Sequence, residues 1–396
     1  MRIQPRLKKN VFAHLLSVVW LALLPGTVFA GQLPPTKPKP SAKPTVQASS
    51  PTDTTIKAID LQKSFAQTGL VLQLTVPVKL TLSHAAGTQH QVSIKGSGPG
   101  YQARAEEVTT TGQPPVIVVS LTQAGYATGN TSPGSTATQP VEVAIQLAPN
   151  SSLQGQVSSG TIVINGLEAA QLTLDLGQGD VEVGNSSGHF YLSTRQGNLS
   201  CHQSDLTGNL AAPSGSITLA GSRGRFSASA GSGSISVNTP TQQVSAQLSG
   251  GADGSVRLVA AEGDVQASVY KGNLDFTWAG PAQATGLHFD FMAQQGAMDL
   301  HFPEAFSLDM NLDQVQTVTG TAGNGAQPVS AALPVAGNTT GKMQSEFAKA
   351  SLPAEKIVTH QGKRLAITQG RQLINGGRNL LMIHAADSQV YLKKVQ

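Results

Sequence analysis

The residues equipped for chemistry are few and dispersed. Cys201 is the single cysteine of the chain. A nucleophilic thiol needs a histidine or another group that lowers its pKa. His202 is adjacent, but neighbours on an extended strand point to opposite faces. Cys201 also falls on an apolar repeat position, so it reads as a buried core thiol. His288 and Asp290 alternate with Leu287, Phe289 and Phe291, and Asp299 and His301 alternate with Met298, Leu300 and Phe302. If these segments stack, two imidazoles and two carboxylates share an outer face and could ligate a divalent metal. Solvated polar positions are the cheaper reading, because no spacing fixes their register. Tyr191 lies between Phe190 and Leu192 and should face outward. Exposed aromatics serve sugar-binding faces, but one ring is not a platform.

The carboxylates of residues 160–278 are scattered: Glu168, Asp175, Asp180, Glu182, Asp205, Asp253, Glu262, Asp264 and Asp275. Glycoside hydrolysis or elimination needs a clustered pair, or a base with basic neighbours, on one face. Arg257 and Asp275 share a repeat position, and a cross-strand ion pair accounts for them. The sequence contains no HExxH, phosphate loop or nucleophile elbow. It therefore predicts no catalytic residue, no cofactor and no metal ligand.

The elements that position these residues are repeats. A five-residue unit recurs: Gly, a small polar residue (Thr in the first copy), an apolar residue, any residue, an apolar residue. It begins at Gly160, Gly179, Gly197, Gly215, Gly233, Gly254 and Gly272, with spacings of 19, 18, 18, 18, 21 and 18. A near-constant period signals stacked units. Glycine suits a corner with positive φ, and the next residue (Thr161, Asp180, Asn198, Ser216, Ser234, Ser255 or Asn273) can bond to the turn backbone. The third position (Ile162, Val181, Leu199, Ile217, Ile235, Val256, Leu274) and the fifth (Ile164, Val183, Cys201, Leu219, Val237, Leu258, Phe276) are apolar in every copy. The fourth is polar in six of seven. A second strand follows about eleven residues after most of the glycines, as at Phe190 and Leu192 or Phe226, Ala228 and Ala230. The Gly197 copy looks out of phase, with Leu206 and Leu210 nearest. The expected fold is all-β, a parallel β-solenoid (β-helix) with about 18 residues per coil. A hexapeptide helix fails because Ile162 plus six is Glu168, and a calcium-binding nonapeptide fails because Gly250-Gly251-Ala252-Asp253 occurs once.

Around the repeats the chain divides. Residues 1–30 have a basic start, an apolar run over 11–24 and small residues before Ala30, the grammar of a signal peptide cut after Ala30. Residues 31–54 are rich in Pro, Lys, Ser and Thr and read as a semi-stiff spacer. Residues 55–396 are the solenoid body, with regular repeats over 160–278 and a long loop over 319–341. Lys342 to Lys349 is a short helix candidate. The net charge of +4 equals the four basic residues Arg2, Arg6, Lys8 and Lys9 of the leader. The body thus lacks the clustered cations that nucleic-acid binding requires. A basic stretch near the end (Lys356, Lys363, Arg364, Arg371, Arg378, Lys393, Lys394) reads as a solvated edge. No later segment is long and apolar enough to span a bilayer as a helix.

The repeats, the segment 141–166 and the closing run from Gly376 to Lys394 resemble the adhesin-domain family of bacterial cell-envelope proteins, related to GIN-type head domains. The resemblance covers roughly 68–396. Asp387-Ser388 occupies a last corner where that family more often carries Gly, and the loop 319–341 is a second departure. The resemblance implies a parallel β-solenoid in an exported bacterial protein, in the periplasm or at the cell surface. The expected role is a non-enzymatic structural or adhesive module for an envelope polymer, polysaccharide or surface protein. A polysaccharide lyase or hydrolase on the same scaffold is the alternative. Self-association through open solenoid ends is a third reading.

Overall fold

A computed structural model describes residues 56–66, 69–109, 114–123, 139–250, 254–318, 343–347, 355–360 and 363–395. The leader, the spacer and the loop 319–341 lie outside the described residues. Among the described residues every regular element is a β-strand, and all are joined in one hydrogen-bonded sheet.

The central strands pair in parallel, and their register follows the repeat. Val181 pairs with Leu199, Leu199 with Ile217, Ile217 with Ile235, Ile235 with Val256 and Val256 with Leu274. These side chains are all buried. Each contributes on the order of 1.5–3 kcal/mol relative to exposure. The second strands form a parallel column as well: Leu172, Phe190, Gly208, Phe226. The Gly197 copy is therefore in phase. Its middle position is Gly208, in register with Phe190 and Phe226, where a Cβ would lie 2.2 Å from the carbonyl oxygen of Phe190.

The sheet is mixed, which corrects the expectation of parallel pairing throughout 55–396. Ile56–Ala66 runs antiparallel to Gln89–Pro99, which is antiparallel to Val141–Leu147. Tyr101–Val108 is antiparallel to Val116–Gln123. Near the C-terminus, Leu308–Thr317 is antiparallel to Lys363–Ile374, and that strand to Glu355–His360. The physical reason is the termini of the stack. A parallel stack leaves backbone donors and acceptors unpaired at each end, and a chain that reverses can cover them at once. The expected helix at Lys342 to Lys349 is also overturned. Met343–Ser345 is a strand on Val390–Leu392, with Met343 buried, because pairing and burial outweigh a weak local propensity.

The repeat glycines are needed mainly for clearance. A Cβ at Gly179, Gly197, Gly215 or Gly233 would lie 1.7 to 2.0 Å from the carbonyl oxygen of the glycine one rung earlier. Gly179 and Gly197 have positive φ, but Gly215 and Gly233 do not. Close stacking of backbone on backbone, rather than a left-handed corner, is the constraint common to all of them. Asp180, Asn198 and Ser216, each following a repeat glycine, accept from the backbone of the next rung. Asn198 N donates to Asp180 Oδ1 at 2.7 Å, Ser216 N to Asn198 Oδ1 at 3.1 Å and Ser234 N to Ser216 Oγ at 3.2 Å.

The left-handed corner lies elsewhere in the coil. Gly166, Asn185, Gln203 and Gly221 hold φ of 68, 47, 48 and 60°. Beside them the buried Ser186 and Ser204 hydroxyls donate to the carbonyls of Gly184 and His202 at 2.7 and 2.8 Å. Ser186 N donates in turn to Ser204 Oγ and Ser204 N to Ser222 Oγ, so polar groups inside the corner are satisfied rung by rung. Toward the C-terminal part of the core, Phe276, Trp278, Phe289, Phe291, Phe302 and Phe306 are fully buried against one another, with centroids as close as 4.9 Å.

Candidate functional site

Cys201 sits on Leu199–His202, with Val183 and Leu219 on the neighbouring strands. Burial pushes its thiol up to about 12. A group so far from ionisation is a packing residue, not a nucleophile. His202 faces the other way, and its imidazole lies over Gly184 of the preceding rung.

The proposed metal face does not assemble. His288, Asp290, Asp299 and His301 lie on one continuous strand, His288–Pro303, rather than on two stacked strands. Its first half pairs with Asn379–Ala386 and its second with Ser388–Val395. Each half finds different partners. Gln266 donates to Asp290 at 3.4 Å, while Lys393 Nζ lies 2.8 Å from Asp299. Among the described residues no group of three or more His, Cys, Asp or Glu is placed to hold a metal ion.

The split exposes a residue that sequence reasoning missed. His384 is half-buried between two carboxylates, with Nδ1 3.9 Å from Asp313 and Nε2 4.0 Å from Asp290. Asp313, above all, and then the charge of Asp290 raise the imidazole above its ordinary value, against the opposing effect of burial. The available signal was the alternation of Leu381, Ile383 and Ala385, which leaves His384 facing outward. Its partners come from strands that the sequence does not bring together.

Three residues of the C-terminal basic stretch, Arg371, Lys393 and Lys394, form ion pairs. Arg371 forms a two-pronged contact with Asp309 at 2.6 and 2.7 Å, and Lys394 reaches Glu304 at 2.6 Å. The Arg371 hydrogen bond holds the Asp309 carboxyl below its usual value. Arg257 and Asp275 are cross-strand neighbours at 3.7 Å, both exposed, as the shared repeat position implies. Such a pair contributes little.

Tyr191 faces outward and is 49% exposed. Its column runs Gln154, Thr173, Tyr191, Asn209, Ser227 across successive parallel strands. A neighbouring column runs Gln73, Gln156, Asp175, Ser193, Ala211. The two columns, as far as Asn209 and Ala211, floor an open groove of about 530 Å³.

A family model, Toastrack DUF4097, matches residues 108–332, more than half of the chain. The chain belongs to the Toastrack DUF4097 family. The regular repeats of 160–278 lie wholly within the Toastrack match, whereas the closing strands lie beyond it. No curated protein matches the chain. A solved structure described as a "putative cell adhesion protein" from Clostridium sporogenes ATCC 15579 is similar at 10% identity, covering 86% of this chain and 100% of its own. Its TM-score is 0.23, so the likeness carries no argument about fold or role.

Proposed function

We propose that this chain is an exported, non-enzymatic module of the cell envelope. In this reading its middle is a parallel β-solenoid of about 18 residues per coil, and its outer faces hold a surface polymer or surface protein. The leader and spacer of the sequence supply export and a standoff from the site of attachment.

One observation carries the reading. Outward residues repeat in register across successive parallel strands, as in Gln154, Thr173, Tyr191, Asn209 and Ser227. A repeating row of amides, hydroxyls and one aromatic ring suits many weak contacts with an extended partner better than one reaction centre does. The dispersed carboxylates favour the same reading over a hydrolase or lyase.

The test is co-sedimentation of the purified protein with isolated cell envelopes, alongside a turnover screen on acidic and neutral polysaccharides. Saturable retention without turnover supports the module. Turnover abolished by changing a single outward Asp or Arg would replace it with an enzyme.

A further inference from the structure

The groove around Tyr191 has the composition of a specific site, and it deepens the envelope-binding reading on which it rests. We propose that it binds an uncharged, β-linked polysaccharide lying along the stack axis, across the strands.

Charge selects the occupant. Asp175 is the sole acidic residue lining the groove, and its Oδ2 is paired with Arg195 at 3.1 Å. None of the described lining residues is Lys or Arg. A polyanion finds at the groove edge only Arg195, already paired with Asp175, and no further cation to replace its counterions. A basic peptide finds only a carboxylate already neutralised. What remains on offer is neutral: Gln154, Gln156, Thr173 and Asn209, whose amides and hydroxyl both donate and accept. Sugar hydroxyls have the same dual character. The half-exposed ring of Tyr191 supplies an apolar face of the kind that packs on the C–H side of a pyranose.

A second observation is independent of composition. Asp175 Oδ1 is buried and accepts no hydrogen bond. A buried acceptor without a donor costs free energy, and native proteins seldom leave one without a reason. Arg195, which covers the other oxygen, is 70% exposed and free to swing. The oxygen a ligand hydroxyl can reach one rung from Tyr191 is Oδ2, which Arg195 uncovers when it swings away.

Geometry favours the axial direction. The groove crosses five consecutive parallel strands, from Gly69–His84 through Ser152–Asn165, Ala170–Gln178 and Ser187–Gln196 to Asp205–Ala212. At about 4.8 Å between strands this is about 20 Å. A chain of equatorially linked pyranoses advances by nearly one strand spacing per ring, so successive rings meet equivalent positions on successive strands. An extended peptide advances by about 3.3 Å per residue and falls out of step. It would also need a strand edge, and the groove floor is made of strands paired on both sides.

The experiment is affinity electrophoresis of the full chain in native gels containing hydroxyethyl cellulose, glycol chitin or polygalacturonate. The expected result is retardation by at least one of the two neutral polymers and none by polygalacturonate. Tyr191→Ala should weaken it about thirtyfold, the effect of losing an anchor ring. Tyr191→Phe should keep it, and Tyr270→Ala, which removes a similarly exposed ring outside the groove, should not change it. Asp175→Ala should weaken it severalfold with an unchanged circular dichroism melt. Absence of retardation by both neutral polymers, binding to polygalacturonate alone, or equal retardation of Tyr191→Ala overturns the proposal. If Tyr191→Ala still sediments with envelopes like the wild type, the groove assignment fails and the envelope module stands. If the wild type does not sediment at all, the broader reading fails first.

Discussion

A Cβ on Gly215 would lie 1.7 Å from the carbonyl oxygen of Gly197. Neither a rotamer nor a neighbouring side chain can relieve that contact, because both groups are backbone. Gly215→Ala must push two rungs apart at a parallel ladder, and the expected loss is about 3 kcal/mol, at the upper end of ordinary single substitutions. A urea titration followed by circular dichroism checks it. A midpoint equal to wild type would mean that the rungs do not stack as closely as described.

Two left-handed positions should respond to glycine with opposite signs. Gln203 holds φ of 48° with an exposed side chain. Gln203→Gly removes the Cβ strain and should stabilise by about 0.5–1 kcal/mol, after allowing for the freer unfolded chain. Asp387 holds φ of 47°, but its carboxylate accepts from Thr317 N at 2.6 Å and Thr317 Oγ1 at 3.2 Å. Asp387→Gly gains the same relief and loses both bonds, for an expected net cost of about 1 kcal/mol. Thermal melts of both variants test the pair.

The His384 cluster should give stability a pH window. Asp313 and Asp290 raise the imidazole above its ordinary value, so this contribution is full below the unfolded histidine value of about 6.5 and fades as pH rises through the folded one. His384, foremost, and Gln369 lower Asp313, whose contribution is full above about 3.9 and fades as pH falls through its folded value. The cluster is therefore worth most between about pH 4 and 6.5. In His384→Gln the fall in melting temperature from pH 6 upward should flatten. An unchanged slope would show that His384 is not charged in that window.

Cys201 should be inert while the protein is folded. Its thiol is buried and pushed up to about 12. Labelling by a maleimide should be slow at neutral pH and speed up only as urea approaches the unfolding midpoint. Cys201→Val, matching Val183 one rung earlier, should cost less than about 1.5 kcal/mol. Cys201→Ser, which buries a hydroxyl, should cost about 2 kcal/mol. Rapid labelling in buffer would contradict the burial.

The legible part of this protein is the part that repeats. Leu199, Ile217 and Ile235 recur at a constant interval on alternating positions, and the register stacks them. Tyr191 was legible as an outward ring for the same reason. Gly208 misled, because an inward slot holding no side chain looks like a lost phase. Only the column of Leu172, Phe190 and Phe226 shows that its rungs keep step. The groove was half legible. Its ring could be found, but Gln154 and Gln156 precede the first repeat glycine, Gly160, on their strand, and the unpaired oxygen of Asp175 depends on how Arg195 pairs with its other oxygen.

The sequence alone determined which side chains face inward and that neighbouring units stack, because alternation and a fixed period are local properties that any similar unit satisfies. The tertiary structure decided which distant segments close the stack. Met298 pairs with Val390 and His384 meets Asp313 across long separations. It also decided that His288 and Asp290 part company with Asp299 and His301. Those pairings follow from covering open backbone at the end of a stack, and that requirement leaves no period in the chain to read.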